Sequence, residues 1–171
     1  MSDIICRAMK LFSIGHSNAT IDFFLNLLRR HEIAVLVDTR SQPYSRYNPH
    51  FRREALKQSV HQQGIEYVYL GNRIGGRPEG EEFYFQSGKV DYDAVAESPE
   101  YLAGIDQLLA LAEHRRVAFL CSEADYKHCH RYWLITRTLT RRGIEVEHIL
   151  HSGEAVKSSA AEFEPAQPSL F

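Results

Sequence analysis

The sequence predicts one α/β domain: a doubly wound, mostly parallel five-stranded sheet with helices on both faces, in a Rossmann-like three-layer arrangement. Three observations carry this. Short apolar runs alternate with segments of helical period through most of the 171 residues, the pattern of parallel strands joined by right-handed crossover helices. The apolar runs are continuous rather than alternating, as expected for strands buried on both faces. Each run ends in glycine or polar residues, at the edge where sheets of this class open their ligand crevice.

The first strand is LFSIGHS, Leu11 to Ser17, which runs out into Gly-His-Ser. Thr20 fits an N-cap, and Ile21, Phe24, Leu25 and Leu28 follow at helical spacing. IAVLVDTR is the second strand, ending in Asp38 and Arg40. A Pro- and Tyr-rich loop comes next, then a helix from about Phe51 to Gln63 that stops at Gly64. IEYVYL is the third strand. The stretch from Arg73 to about Glu97 has no clear period and reads as a long loop, a feature often functional in compact domains. A helix from about Pro99 to His114 turns Leu102, Ile105, Leu108, Leu109 and Ala112 inward. VAFLCSE is the fourth strand, ending at Cys121 and Glu123. A helix capped near Asp125 runs to about Arg142, and IEVEHIL is the fifth strand. The domain therefore covers residues 1–151. Residues 152–171, small and polar with two prolines, read as a flexible C-terminal tail.

Composition sets bounds on function. Apolar residues are 44% and charged residues 25%, ordinary for a globular chain, and the formal net charge is -2. That balance leaves no whole-chain basic footprint, so nucleic acid would need a local patch. The three cysteines, Cys6, Cys121 and Cys129, form an odd, sparse set without a secretory leader. A reducing, cytoplasmic location is expected. No apolar run approaches the roughly 20 residues that span a bilayer, so no membrane partner is expected.

The strand ends should meet along one edge. The segment CSEADYKHCHR, Cys121 to Arg131, brings two thiols, an imidazole, a guanidinium and a carboxylate within eleven residues. Helix N-terminal amides would lower a nearby thiol pKa and hold anions. A thiolate beside a histidine is a nucleophile, with Cys121 or Cys129 attacking and His16, Glu123 or His130 moving protons. The alternative is structural: two buried small thiols and an Arg131–Glu123 pair. Ser17 and Asn18 suit either ligand contact or helix capping. Asp38 and Arg40 lie on one side of the strand, as a structural ion pair or an oriented anion clamp. Gly75-Gly76-Arg77 allows close backbone approach with Arg77 as a second cation, or a plain turn. YSRYNPHFRR interleaves rings and arginines, a pattern that can stack bases. Cys121, Cys129, His128, His130, His16 and Glu123 are metal-ligand types. Without a C-x-x-C pair, and with Arg131 adjacent, thiol or acid/base chemistry is preferred, and no metal or other cofactor is assigned.

Taken together, IGHS at Ile14 to Ser17, D-x-R at Asp38 to Arg40, Pro43, Ser45, Asn48-Pro49, Phe51, GGR at Gly75 to Arg77, Cys121, Glu123, C-H-R at Cys129 to Arg131 and His148-Ile149 resemble a widespread bacterial family. It is the domain-of-unknown-function family four-eight-eight, and the resemblance runs from about Lys10 to Leu150. Two departures from its pattern are Thr39, where an aliphatic is usual, and Ile74, where Leu is usual. The resemblance implies a fold and a motif set, Ser45 among them, but no reaction. Separately, the terminal Gln167-Pro168-Ser169-Leu170-Phe171 looks like the peptide by which bacterial DNA-processing proteins dock on the replication sliding clamp, with Pro168 replacing a Leu.

The expectation is an enzyme acting on an anionic small molecule, a nucleotide or a nucleic-acid component, with Arg40, Arg77 and Arg131 holding the anion. The rival is a non-catalytic nucleotide or nucleic-acid binding module recruited to a sliding clamp by its last five residues. A third reading is a rhodanese-like or redox thiol enzyme. Against a phosphatase-like loop, Lys127 stands where a closing Arg would be required.

Overall fold

The structure, a computed structural model, describes residues 9–164. Cys6 and the clamp-like peptide Gln167–Phe171 lie outside the described residues. Strands β1 (Leu11–Gly15), β2 (Val35–Asp38), β3 (Glu66–Tyr69), β4 (Val117–Cys121), β5 (Val146–Ile149) and β6 (Ala155–Ser158) form one sheet in the order β3-β2-β4-β1-β5-β6. All neighbours are parallel except β5 and β6.

Strand alternation sorts the core into two layers. Val35, Val37, Val117 and Phe119 face one side, against Ile105 and Leu108 of α5 (Pro99–Ala112) and Leu134, Ile135 and Leu139 of the chain after β4. Leu36, Ala118, Leu120, Phe12 and Ile14 face the other. There they meet Phe24 and Leu28 of α1 (Ile21–Arg30) and Leu56 and Val60 of α2 (Arg53–Gln62). Burial on both faces is why these strands read as unbroken apolar runs. Thr20 caps α1, its hydroxyl accepting from the Phe23 amide at 3.2 Å, so the cap falls on neither Ser17 nor Asn18.

Three boundaries differ from expectation. The sheet has six strands, not five, and β6 lies within the segment read as a tail. A four-residue edge strand needs few apolar positions, so its small polar composition masks it. β6 pairs with β5, and the Ser158 hydroxyl meets His148 Nε2 at 2.9 Å; a 3-10 turn, Ala160–Phe163, follows. The long loop after β3 also holds structure: α3 (Gly71–Ile74), a 3-10 turn at Glu81–Phe83 and α4 (Tyr92–Glu97). These pieces are too short to show a period. Finally, no helix begins at Asp125. Its carboxylate accepts from the Lys127 amide at 2.9 Å and closes a 3-10 turn, Tyr126–His128. Cys129 is then extended, with φ -144°. Helical structure starts only at Arg131, as a π-helical segment to Thr136 continued by α6 (Arg137–Arg141). Such segments are uncommon and concentrate at functional sites.

Deleting residues 152–171 is expected to lower the melting temperature by about 4–8 °C, about 2 kcal/mol, because β5 loses its ladder and His148 a partner. A thermal melt followed by circular dichroism checks this; an unchanged midpoint would return β6 to the status of a dispensable tail.

Candidate functional site

The topology singles out the end of β4. Its neighbours β1 and β2 send their connections toward β3, while β4 sends its own toward β5. The crevice of a doubly wound sheet opens at such a reversal. A cleft of about 460 Å³ lies there, lined by Arg40, Gln42, Tyr44, Gly76, Arg77, Tyr92, Cys121, Glu123, His128, Cys129 and His130 among others.

Its floor is a set of three side chains. Cys121 leaves β4 buried, and its sulfur lies 3.6 Å from His130 Nδ1. The other ring nitrogen, Nε2, is 3.1 Å from the Thr39 carbonyl and 3.2 Å from its hydroxyl oxygen. A carbonyl can only accept, so Nε2 carries the proton and the Nδ1 lone pair faces the thiol. The Thr39 hydroxyl is itself oriented, donating to the Leu120 carbonyl at 2.7 Å. Gly76 lets the loop close over the ring, for a Cβ there would sit 2.8 Å from His130 Cγ. Cys129 completes the set: the Cys121 and Cys129 sulfurs and a His130 nitrogen all lie within 4.8 Å of one another. Both cysteines are free, and among the described residues these three form the group that could hold a metal ion.

The two thiols are driven apart. A hydrogen bond from the Cys129 thiol, the His130 imidazole and the Glu123 amide hold the Cys121 thiol far below the ordinary thiol range, against the opposing effect of burial. Cys129 is pushed up, first by its hydrogen bond to Cys121 and then by burial, so it stays a protonated donor. Its single S–H also has the Tyr126 carbonyl within reach, 3.7 Å from the sulfur, and it serves one of the two acceptors at a time. No helix starts directly after β4 to turn its amides on Cys121, as the sequence led one to expect; a second thiol, an imidazole and one loop amide face it instead.

Other residues singled out in the sequence fall in three groups. Glu123 and Arg77 are exposed on the cleft rim, and the Arg77 amide donates to Ser41 Oγ at 2.9 Å. A second group is engaged inside the protein. Arg40, although it lines the cleft, is clamped by Asp38 through Nε at 2.9 Å and Nη2 at 2.7 Å, and donates from Nη1 to the Phe51 carbonyl and to His16 Nε2. The pair is structural, because nearly every Arg40 N–H already has a protein acceptor. His16 donates from Nδ1 to the Ser17 carbonyl at 2.7 Å and stacks on Phe51. Burial and then the Arg40 charge lower its pKa to about 4. Both of its ring nitrogens are thus engaged inside the protein, and the ring is not among the groups that line the cleft. Ser45 accepts from the Asn48 amide at 2.9 Å in a turn, and Gly75 packs against Gly71 and Ser41. Ser17 adopts φ 46°, and its amide donates to the Ser122 carbonyl at 2.8 Å; Asn18 is exposed beside it.

Arg131 belongs to a third group. It is 1% exposed and does not meet the Glu123 carboxylate; Nη2 donates to the Glu123 and Ala124 carbonyls, each at 2.9 Å. It thus holds the Cys121–Asp125 loop by its backbone. Nε and Nη1 have no partner among the described residues. Gly15 makes room for this arrangement, since a Cβ there would collide with the Glu123 carbonyl.

Tyr92 and the cleft position of Tyr44 were not singled out from the sequence, and Thr39 was noted only as a departure from the family pattern, without a site role. Thr39 did leave a signal, a hydroxyl where an aliphatic is usual at a buried strand end. Tyr92 left none, being fixed by α4.

A family model described as domain of unknown function DUF488 matches residues 20–138. No curated protein and no solved structure matches the chain. Among the described residues no helix is long and apolar enough to cross a membrane.

Proposed function

The chain belongs to the domain-of-unknown-function family DUF488, and from that premise and the cleft geometry we propose that it is a thiol-dependent enzyme acting on an anionic substrate, a nucleotide or nucleic-acid component. Cys121 is the nucleophile, His130 takes its proton, and Cys129 donates a hydrogen bond to the thiolate. Arg77, exposed on the rim, meets the substrate anion, and the proton taken up by His130 passes to the leaving group, with Glu123 lining the same cleft as a further proton-moving group. Arg40 and Asp38 build the wall; Arg131 fixes the loop that carries Glu123.

One observation carries this reading: His130 Nδ1 lies 3.6 Å from the Cys121 sulfur while Nε2 is held on the Thr39 carbonyl. Nucleophile, base and base-orienting group form the relay that activates thiols elsewhere in protein chemistry. Alkylation with iodoacetamide at pH 7, read by peptide mass spectrometry, tests it. Cys121 is expected to react about tenfold or more faster than cysteine in an unstructured peptide, and His130→Gln, which keeps bulk but no basic nitrogen, to remove the excess. A Cys121 no more reactive than the peptide would sink the proposal.

A second reading is favoured by the loop beside the cleft. Tyr44 is 67% and Tyr47 86% exposed, and the Arg52 guanidinium lies 4.5 Å from the Tyr44 ring centroid. Exposed rings beside arginines suit a module that stacks single-stranded bases. That reading, with docking of the terminal peptide on a sliding clamp, requires single-strand affinity that survives Cys121→Ala and falls with Tyr44→Ala and Tyr47→Ala.

A further inference from the structure

We propose that Cys121, Cys129 and His130 also form a three-donor site for a soft divalent cation, zinc above all, whose fourth position opens to the cleft, and that occupancy switches Cys121 off as a nucleophile. The metal site stands on geometry; the switching half rests on the reading of Cys121 given above.

The three donor atoms lie within 4.8 Å of one another. In a tetrahedral zinc site, bonds of about 2.3 Å to sulfur and about 2.0 Å to nitrogen make the sulfur-to-nitrogen edge about 3.5 Å. The Cys121 sulfur to His130 Nδ1 separation is 3.6 Å, so that edge is already in place without a shift of either residue. The Nδ1 lone pair is aimed by the Nε2–H bond to the Thr39 carbonyl at 3.1 Å. That outer hydrogen bond is the usual support of a metal-bound histidine. Neither sulfur is tied up in a disulfide.

Charge also fits. Zinc displaces to solvent the protons held by the Cys121, Cys129 and His130 set, and two thiolates with one Zn²⁺ and a neutral imidazole carry no net charge. The nearby Arg131, 1% exposed, therefore faces a neutral site rather than a cationic one. Thiolate and imidazole donors favour zinc over calcium or magnesium, which take oxygen ligands. Three protein ligands with one open position are the arrangement of a site that keeps a place for water or substrate, rather than of a closed structural site. Because all three lie on the floor of the cleft, a bound ion covers the sulfur from the side a substrate would use.

The test uses the full chain, reduced and freed of metal with a chelator. Added Co²⁺ is expected to bind with one-to-one stoichiometry and to give thiolate-to-cobalt charge-transfer absorption, which Zn²⁺ then removes. Stoichiometric Zn²⁺ is expected to slow iodoacetamide alkylation of Cys121 about tenfold or more, with chelator restoring the rate. Cys129→Ser, compared with its own zinc-free rate, should need about tenfold more zinc for half protection. Absence of the cobalt band at large excess would overturn the site, as would a band unaffected by Cys129→Ser. A band without protection would overturn the switch alone. If metal-free Cys121 proves unreactive, the nucleophile reading fails, and the cobalt titration still decides the site.

Discussion

Asp38→Ala is expected to destabilise the protein by about 3–5 kcal/mol, because it leaves a buried guanidinium without its counter-charge. Asp38 is fully buried, and its carboxylate accepts from Arg40 Nε, Nη2 and backbone amide and from the Tyr67 hydroxyl at 2.6 Å. The Tyr67 hydroxyl is in turn pushed well above its ordinary pKa, first by burial and then by the Asp38 charge, which keeps it a donor. A domain whose whole stability is about 5–15 kcal/mol has little margin for such a loss. Urea unfolding measures it. Asp38→Asn, which keeps the volume and an acceptor oxygen but no charge, should fall between wild type and alanine. The double variant Asp38→Leu/Arg40→Met should regain much of the loss, since it removes both buried charges together. An alanine variant within about 1 kcal/mol of wild type would show that the pair is not the internal clamp its distances indicate.

Mild acid is the second large effect. His16 and His148 are both buried and both held neutral, with pKa values lowered to about 4 and about 3. Burial is the main cause in each; Arg40 adds to it at His16, and Arg131 and Lys127 at His148. His148 lies between two serine hydroxyls, Ser13 at 2.6 Å and Ser158 at 2.9 Å, and stacks on Tyr126. In the unfolded chain these imidazoles take up protons below about pH 6.5, while in the fold they do not. The unfolded state therefore binds more protons, and stability rises with pH through that window and is lost as pH falls. Each histidine should remove about 1.4 kcal/mol per pH unit below 6.5, hence about 2 kcal/mol each by pH 5. Urea titrations at pH 7.5 and 5.0 compare the two states. His148→Asn and His16→Asn should each flatten the dependence. Equal stability at both pH values in the wild type would refute the assignment.

The order of the longer elements, and the edge of the sheet at which the polar strand ends meet, are legible in the amino-acid sequence. Continuous runs such as VLVD and VAFLC encode burial on both faces, and a helical period of apolar residues encodes one buried stripe; both are local signals. The position of Cys121 at the crevice follows from strand order alone once the strands are assigned. Short elements leave little trace: β6 has four residues, and α3 and α4 have four and six.

Partnership is not legible there, because it depends on contacts between residues far apart in the chain. Asp38 and Arg40 are two residues apart, yet whether Arg40 holds a ligand or its neighbour turns on Phe51 and His16 arriving beside it. His16 and His130 look alike in sequence as strand-end and loop imidazoles. Only His130 presents a free lone pair to a thiol, because Thr39, 91 positions away, occupies its other nitrogen, whereas Arg40 and Ser17 occupy both nitrogens of His16. Arg131 meets carbonyls rather than the Glu123 carboxylate because the Cys121–Asp125 loop passes over it. Local periodicity thus set the scaffold and the polar strand ends set the roster of candidate residues, while long-range hydrogen bonding assigned them to the rim, the wall, the floor or the loop support of the cleft. The physical reason is that a side chain's free donors and acceptors are those left after packing, and packing is a property of the whole fold.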